Sequence, residues 1–123
     1  MRRLKVVAIA LFVVLFIQST PSQGHHGWSW TTGGNIELTG VIRTVRLGMP
    51  HGIIRVDADG EIWTVEVGQP WRNERAGLKP GDLAEGVEIR AVGEPAADPS
   101  EKLLKAERLY IGGREYDLYP GRD

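Results

Sequence analysis

The fold is decided by residues 53–67, whose sequence is IIRVDADGEIWTVEV. The apolar run at residues 53–56 predicts a β-strand. The sequence DADG at residues 57–60 predicts a hairpin turn, because glycine readily adopts the positive φ that such turns require. Residues 61–67 then alternate cleanly between two faces, with Trp63 on the face predicted to be buried. The segment therefore predicts an antiparallel hairpin with Trp63 in the core.

A longer strand is predicted on the amino-terminal side of this hairpin. Apolar and polar residues alternate from Ile36 to Leu47, and the alternation slips near Gly40. A slip of this kind predicts a β-bulge or a bend within one long strand. The sequence GMPHG at residues 48–52 then breaks the pattern. This strand and the hairpin together predict a three-stranded meander.

On the carboxyl-terminal side the sequence predicts a short helix and further strands. The helix is expected within residues 69–78, with Pro70 in its first turn and Gly77 closing it. Further alternating segments predict strands at residues 86–92, 103–111 and 114–119. A helix over residues 101–107 is the alternative for the start of the second of these segments, because Glu, Lys, Leu and Ala favour helices.

The order of these elements predicts the architecture. Apart from the short final strand at residues 114–119, the order is three strands, a short helix and two strands. This is the order of an OB-fold, a five-stranded Greek-key barrel. We therefore expect an all-β domain with one short helix, a small OB-like barrel, over residues 36–119. A β-sandwich or a roll is the alternative.

Residues 1–24 have the features of a signal peptide. Three basic residues precede an unbroken apolar run at residues 6–17, and the sequence SQG at residues 22–24 places small residues around a cleavage site. As a helix, this apolar run would rise only about 18 Å, short of the roughly 30 Å hydrocarbon core. We expect a periplasmic or secreted protein with no stable membrane anchor after processing. Residues 25–35 have no helical period, and we expect them to form an extended N-terminal arm that can join a sheet.

Charge and cysteine content restrict the possible functions. Without residues 1–24 the chain keeps twelve basic and sixteen acidic residues, a net charge of −4 with neutral histidines. This balance argues against a nucleic-acid partner, which needs a basic surface. The chain contains no cysteine. Disulfides, lipoprotein attachment and thiolate metal sites are therefore excluded.

The three histidines of the chain indicate a metal site. Cleavage after Gly24 would make His25 the first residue, and a terminal histidine offers a metal ion both its α-amine and its ring Nδ1. His51 can supply a third nitrogen from the loop at residues 48–52, and His26 is an optional fourth donor. Nitrogen donors suit Cu(II), which heads the affinity order of divalent first-row metals and favours tetragonal geometry. The sequence therefore predicts copper at His25, His26 and His51.

Three further residues are expected near this ion. Met49 adds a soft thioether beside His51, which leaves a Cu(I) role open. Trp28 and Trp30 are expected to shield the ion from water and to tune it without ligating it. Zinc or nickel can occupy the same donors. The site also requires the loop that carries His51 to approach the arm, which the sequence does not determine.

The function predicted from these residues is that of an exported metal-binding protein, a copper carrier or chaperone. The alternative is a non-catalytic envelope interaction module that binds a protein or an oligosaccharide through its barrel face and tryptophans. A copper-dependent oxidase is a third hypothesis. Nucleophilic hydrolysis is disfavoured because the chain has no cysteine and no histidine outside the proposed site. We therefore expect no enzyme activity, and we expect Glu66 to be a solvated strand carboxylate.

A set of short motifs resembles a known family. The motifs are HHGW at 25–28, GVI at 40–42, PHG at 50–52, Trp63 with Glu66, GLKPGD at 77–82 and GEP at 93–95. In this order and spacing they resemble a group of small exported bacterial proteins, the domain-of-unknown-function family 6152, over residues 25–113. The resemblance implies export and a small β-rich domain, and it implies no chemistry. Members usually carry Ala and Asn where this chain has Gly24 and Met49.

Overall fold

The computed structural model describes residues 27–122 of the chain. The predicted signal peptide, His25 and His26 lie outside the described residues. Within the described range the chain forms six strands and one short helix. These elements are β1 (Ile36–Arg46), β2 (Ile53–Ala58), β3 (Glu61–Glu66), α1 (Pro70–Arg75), β4 (Glu88–Pro95), β5 (Leu103–Ile111) and β6 (Arg114–Asp117).

The strands close into a barrel. Their order is β3-β2-β1-β4-β5-β6, and a parallel pairing between β3 and β5 joins the two ends of the five-stranded part. β6 pairs with β5 and lies outside the closed ring. The predicted small OB-like barrel is confirmed. The segment 103–111 is a strand throughout, so the helical alternative for residues 101–107 is wrong.

Strand β1 pairs with two different strands along its length, and its register with β2 shifts once. Its first half, Ile36 to Val41, pairs with β4, and its second half, from Val41 onward, pairs with β2. A Cβ atom on Gly40 would overlap the backbone oxygen of Asp57, so a glycine is needed where the two strands approach. The register shift itself lies between Ile42 and Thr44, slightly beyond the position that the sequence predicted.

The turn and the helix around β3 follow the sequence closely. Asp59 and Gly60 both have positive φ, and the Asp57 carboxylate accepts a hydrogen bond from the Gly60 N–H at 3.0 Å. This is the predicted hairpin turn. The short helix starts at Pro70 as predicted and ends just before Gly77, which adopts a φ of +100°. The side chain of Asn73 ties α1 to the end of β3 through hydrogen bonds with the N–H and the carbonyl of Gly68, both 2.9 Å long.

The barrel interior is filled by aliphatic side chains. Its fully buried members are Ile42, Ile54, Val56, Val65, Val67, Leu104, Ala106, Leu109 and Leu118. Burial of one such large side chain stabilises a fold by about 1.5–3 kcal/mol. Trp63 packs against this cluster but is only partly buried. Among residues 27–122, no helix is long and apolar enough to cross a membrane.

Candidate functional site

The most unusual feature of the barrel is a row of buried charged residues on its outer face. Val65 and Val67 point into the core, so Glu66 between them points outward; Lys105 lies between Leu104 and Ala106 in the same way. Lys105 is the register partner of Glu66 on β3 and of Glu94 on β4. A row of charges on the outer face of a barrel is ordinarily solvated. Here all three side chains are buried, together with Glu107.

Glu66 and Lys105 form the centre of this group. The Lys105 ammonium, 2 % exposed, donates a hydrogen bond of 3.0 Å to Glu66 Oε1. Burial of one such charge alone costs several kcal/mol, so its pairing is required for the fold. Glu66 is 7 % exposed, and the prediction that it is a solvated carboxylate is wrong. The reason is that β3 has neighbours on both sides, β2 and β5, and that the loop carrying His51 lies against Glu66.

His51 approaches this centre from the loop between β1 and β2. Its Nε2 lies 3.5 Å from Glu66 Oε1, the same oxygen that Lys105 contacts. The next residue, Gly52, fixes the loop to the end of β3: its N–H donates to the carbonyl of Gly68, and its carbonyl accepts from the N–H of Val67. A Cβ on Gly52 would overlap side chains of Val67 and Leu47. Glycine at this position therefore holds His51 close to β3.

The N-terminal arm covers the same centre. Trp28 lies with its ring centroid 4.9 Å from Lys105 Nζ and makes an edge-to-face contact with Tyr119 at 5.0 Å. Gly27 to Trp30 form a turn rather than the expected extended segment, and Thr31 then joins the sheet by a bridge to Ala96. The arm and the His51 loop, which are distant in sequence, therefore meet at one pair of buried charges.

The carboxyl-terminal segment completes the cover. Arg122 lies 3.7 Å above the Trp28 ring and donates hydrogen bonds to Glu94 at 2.7 Å and Glu107 at 3.1 Å. Its hydrogen bond to Glu94 is the main reason that the pKa of Arg122 is raised. Burial is the main reason that the pKa of Tyr119 is raised above its usual value, which keeps the phenol protonated. We call Glu66, Lys105, Trp28, Tyr119 and Arg122, with His51 at its edge, the covered charge cluster.

The structure separates the predicted site residues into two groups. His51 and Trp28 belong to the covered charge cluster. Met49 is 73 % exposed, so it does not share the burial of His51. Trp30 is partly buried, and its carbonyl accepts a hydrogen bond from the N–H of Ala97. Within residues 27–122, no three His, Cys, Asp or Glu side chains are grouped so that they could hold a metal ion. The predicted ligands His25 and His26 lie outside that range.

Sequence reasoning missed the charged members of the cluster. In β5 the residues Lys105 and Glu107 alternate with core residues, which is typical of a solvated face. The segments that cover this face come from the two ends of the domain, and no local pattern indicates their position. The one available signal was the spacing of Trp63 and Glu66 within the resemblance to a family.

The comparison with family models agrees with that resemblance. The model of the Family of unknown function (DUF6152) matches residues 13–105, which is most of the chain. The chain belongs to this family. The family description assigns no activity to DUF6152 proteins, and no curated protein matches this chain.

Solved structures with a partial likeness include those of TiaS, a tRNA agmatidine synthetase. The complex of TiaS with a tRNA, AMPCPP and agmatine is 14 % identical, covers 63 % of this chain and 18 % of the TiaS chain, and has a TM-score of 0.49. The ZRD-deleted TiaS mutant with agmatine is 17 % identical, covers 71 % of this chain and 24 % of that chain, and has a TM-score of 0.48. The DUF6152 chain therefore spans less than a quarter of the TiaS chains. Likeness at this level carries no argument about function.

Proposed function

We propose that this DUF6152 protein is an exported metal-binding protein, a copper carrier or chaperone that holds its ion with His25, His51 and, as an optional donor, His26. The observation that carries the proposal is the meeting of Trp28 and His51 at the Glu66–Lys105 pair. A site built from the arm and the β1–β2 loop requires that these two segments approach each other. They do so at a mostly buried histidine.

The length of the arm is compatible with such a site. His25 precedes Trp28 by three residues, and three residues of extended chain span at most about 10 Å. Three contacts, His51 to Glu66, Glu66 to Lys105 and Lys105 to Trp28, connect the loop to the arm. If processing occurs after Gly24, the α-amine and Nδ1 of His25 are available to an ion that His51 also binds.

The surroundings of His51 suit a ligand to a transition metal. A histidine that binds a metal commonly has its other ring nitrogen held by a carboxylate, which fixes the orientation of the ring. Glu66 faces Nε2 of His51, so Nδ1 on the other side of the ring is the nitrogen expected to bind the ion. The rings of Trp28 and Tyr119 would limit access of water. A nitrogen donor set of this kind favours Cu(II) over other divalent first-row ions.

Export is part of the proposal and rests on the sequence. The basic start, the apolar run at residues 6–17 and the small residues before His25 are the features of a secretory signal. Cleavage at that place is also what would create the terminal amine. A protein of this kind would bind copper in the periplasm or outside the cell, with Met49 as an auxiliary soft ligand for Cu(I).

The proposal is tested by the Cu(II) affinity of two forms of the protein. One form begins at His25, and the other is the same chain with its α-amine acetylated, so that this nitrogen can no longer bind the ion. We expect the acetylated form to bind Cu(II) at least about tenfold more weakly in competition with a chelator, because a chelate ring is lost. Equal affinities would contradict a terminal-histidine site.

The second candidate function is a non-catalytic envelope interaction module for a protein or an oligosaccharide. A largely apolar cavity of about 520 Å³ lies between β1, α1 and the loop after it, lined by residues that include Leu47, Pro70, Leu78 and Leu83. Trp71, the residue after Pro70, is 51 % exposed. This hypothesis predicts no copper affinity beyond that of an unstructured peptide with the same histidines, so the titration described above separates the two functions.

A further inference from the structure

Large apolar side chains are exposed at one end of the barrel. Leu47, directly after β1, and Trp71, on α1, are each 51 % exposed, and Met49 is 73 % exposed. Leu47 also lines the apolar cavity of about 520 Å³, together with Pro70, the residue before Trp71. The end of β1 and the start of α1 therefore meet at one opening, and Met49 lies in the loop that leaves it. An exposed apolar surface beside an open cavity marks an interaction site.

Basic side chains accompany these apolar residues. Arg46 is the last residue of β1, and Lys79 lines the cavity. The guanidinium carbon of Arg75 lies 5.1 Å from the centroid of the Trp71 ring. Within residues 27–122, none of these three cations forms an ion pair with a carboxylate. We call this surface the basic apolar face, which consists of Leu47, Met49, Trp71, Arg46, Arg75 and Lys79.

The charge of this face is opposite to that of the chain as a whole. Residues 70–80 carry three basic side chains, Arg72, Arg75 and Lys79, and one carboxylate, Glu74. The chain after residue 24 has twelve basic and sixteen acidic residues, a net charge of −4. Cations without carboxylate partners beside exposed apolar side chains match a partner that is negatively charged at its surface and apolar just below it.

We propose that the basic apolar face docks reversibly on a bilayer that contains anionic phospholipid, with its apolar side chains among the headgroups and its cations against the lipid phosphates. Tryptophan favours the headgroup level of a membrane, and basic side chains are attracted to anionic lipid. Contact with the bilayer also removes the apolar lining of the cavity from water. Docking of this kind needs no membrane-spanning segment. It goes beyond the proposed metal binding and does not depend on it.

A bilayer suits this face better than a folded protein does. A protein partner would need carboxylates at positions that match Arg46, Arg75 and Lys79 individually, whereas a bilayer presents its phosphates over its whole surface. The apolar contacts come from a loop and a helix beside an open cavity, into which flexible acyl chains can reach. Binding should therefore depend both on anionic lipid and on the exposed apolar side chains.

The test measures how the protein that begins at His25 partitions onto sedimented vesicles. The vesicles consist either of phosphatidylcholine alone or of phosphatidylcholine mixed equally with phosphatidylglycerol. We expect at least about tenfold tighter binding to the mixed vesicles, because several cations of the face meet an anionic surface. This binding should weaken as the salt concentration rises, because salt screens charges at a surface.

Two double variants test the contribution of charge. Arg75→Gln with Lys79→Gln should bind the mixed vesicles about tenfold more weakly than wild type. Arg90→Gln with Arg114→Gln removes the same charge from β4 and β6, and it should bind like wild type. Thermal unfolding shows that each variant is folded.

Two single variants test the contribution of the apolar side chains. Trp71→Ala should bind the mixed vesicles about tenfold more weakly, because a large apolar side chain no longer leaves water. Ile62→Ala is the control, since Ile62 is 45 % exposed on β3 and lies outside the basic apolar face. Lipids brominated in their acyl chains should quench the tryptophan fluorescence of the wild-type protein and quench that of Trp71→Ala less.

Three results would overturn the inference while leaving the copper proposal intact. One is equally weak binding to both kinds of vesicle, which would leave the face to a protein partner or, if sedimentation shows dimers that Trp71→Ala abolishes, to a second copy of the chain. Another is an equal loss of binding in the two double variants, since the attraction would then follow net charge alone. The third is a folded Trp71→Ala protein that binds the mixed vesicles as tightly as wild type.

Discussion

Nε2 of His51 lies 3.5 Å from Oε1 of Glu66. This contact brings the loop between β1 and β2 to the buried end of β3. The contact places His51 beside Lys105 and therefore beside Trp28 of the arm. A barrel of this size needs no charged residues on this face for its core. The covered charge cluster is therefore largely buried without belonging to the aliphatic core.

Replacement of Trp28 tests whether the arm is held by the cluster. We expect Trp28→Ala to lower the free energy of unfolding by about 2 kcal/mol, less than the roughly 3–5 kcal/mol of a fully buried aromatic residue, because Trp28 is only partly buried. Urea denaturation measures this change. The matched control is Trp71→Ala on α1, whose ring is 51 % exposed and contacts Arg72 and Arg75. If Trp71→Ala and Trp28→Ala lowered the free energy of unfolding equally, the result would argue against an arm that is anchored by Trp28.

Replacement of Arg122 tests the pairing of the buried carboxylates. Arg122→Ala leaves Glu94 and Glu107 without their guanidinium, and we expect a loss of about 2 kcal/mol in the free energy of unfolding. This loss is smaller than that for a fully buried ion pair, because Arg122 is 40 % exposed and its charge is partly screened by solvent.

Arg43→Ala is the control for Arg122, since it removes a more exposed ion pair, with Asp57 at 3.2 Å. Exposed pairs contribute about 0–1 kcal/mol. Chemical denaturation of both variants gives the comparison. If Arg122→Ala and Arg43→Ala lowered the free energy of unfolding by equally small amounts, the contacts of Arg122 would not compensate the buried charges of Glu94 and Glu107.

The raised pKa of Tyr119 predicts a pH dependence at alkaline pH. Burial disfavours the phenolate in the folded protein, so the pKa of Tyr119 lies above the unfolded value of about 10. Its contribution to stability is complete below the unfolded pKa and is lost as the pH rises through the folded pKa. In a tyrosinate absorbance titration, the difference between wild type and Tyr119→Phe should therefore show a step above pH 10. A step at or below the usual pKa would contradict the burial of this phenol.

Closure of the barrel depends on the close approach of β1 and β2 at Gly40. We expect Gly40→Ala to destabilise the protein by several kcal/mol or to prevent folding, because the new methyl group would overlap the backbone of Asp57. Gly34→Ala is the control, since a Cβ there meets nothing within 4 Å. Thermal unfolding followed by circular dichroism distinguishes the two. A folded Gly40→Ala protein with the wild-type midpoint would contradict the described strand pairing.

The fold could be predicted from the sequence because its determinants are local. Each pattern predicts the structure of its own segment: the alternation in residues 61–67 a strand, the DADG sequence a turn, and Pro70 the start of a helix. The order of these elements indicated the barrel. The position of Glu66 could not be predicted in this way. Its alternation is that of a solvated strand residue, and it is buried against Lys105 and His51, which lie far from it in sequence.

The sequence indicated which types of residue form the candidate site, but not where these residues lie in the fold. Three histidines and no cysteine indicated nitrogen ligation, and the structure adds that His51 lies at the place where the arm meets the barrel. Lys105 and Arg122 gave no signal, because a charged residue on a strand or near a chain end is most often solvated. Their roles follow from tertiary contacts alone.

Electron paramagnetic resonance of the Cu(II)-loaded protein that begins at His25 tests the claim that the arm and His51 hold one copper ion together. We expect one equivalent of Cu(II) in a single species with several nitrogen couplings, and a spectrum with one coupling fewer in His51→Ala. A heterogeneous signal that is identical in wild type and His51→Ala would contradict the claim.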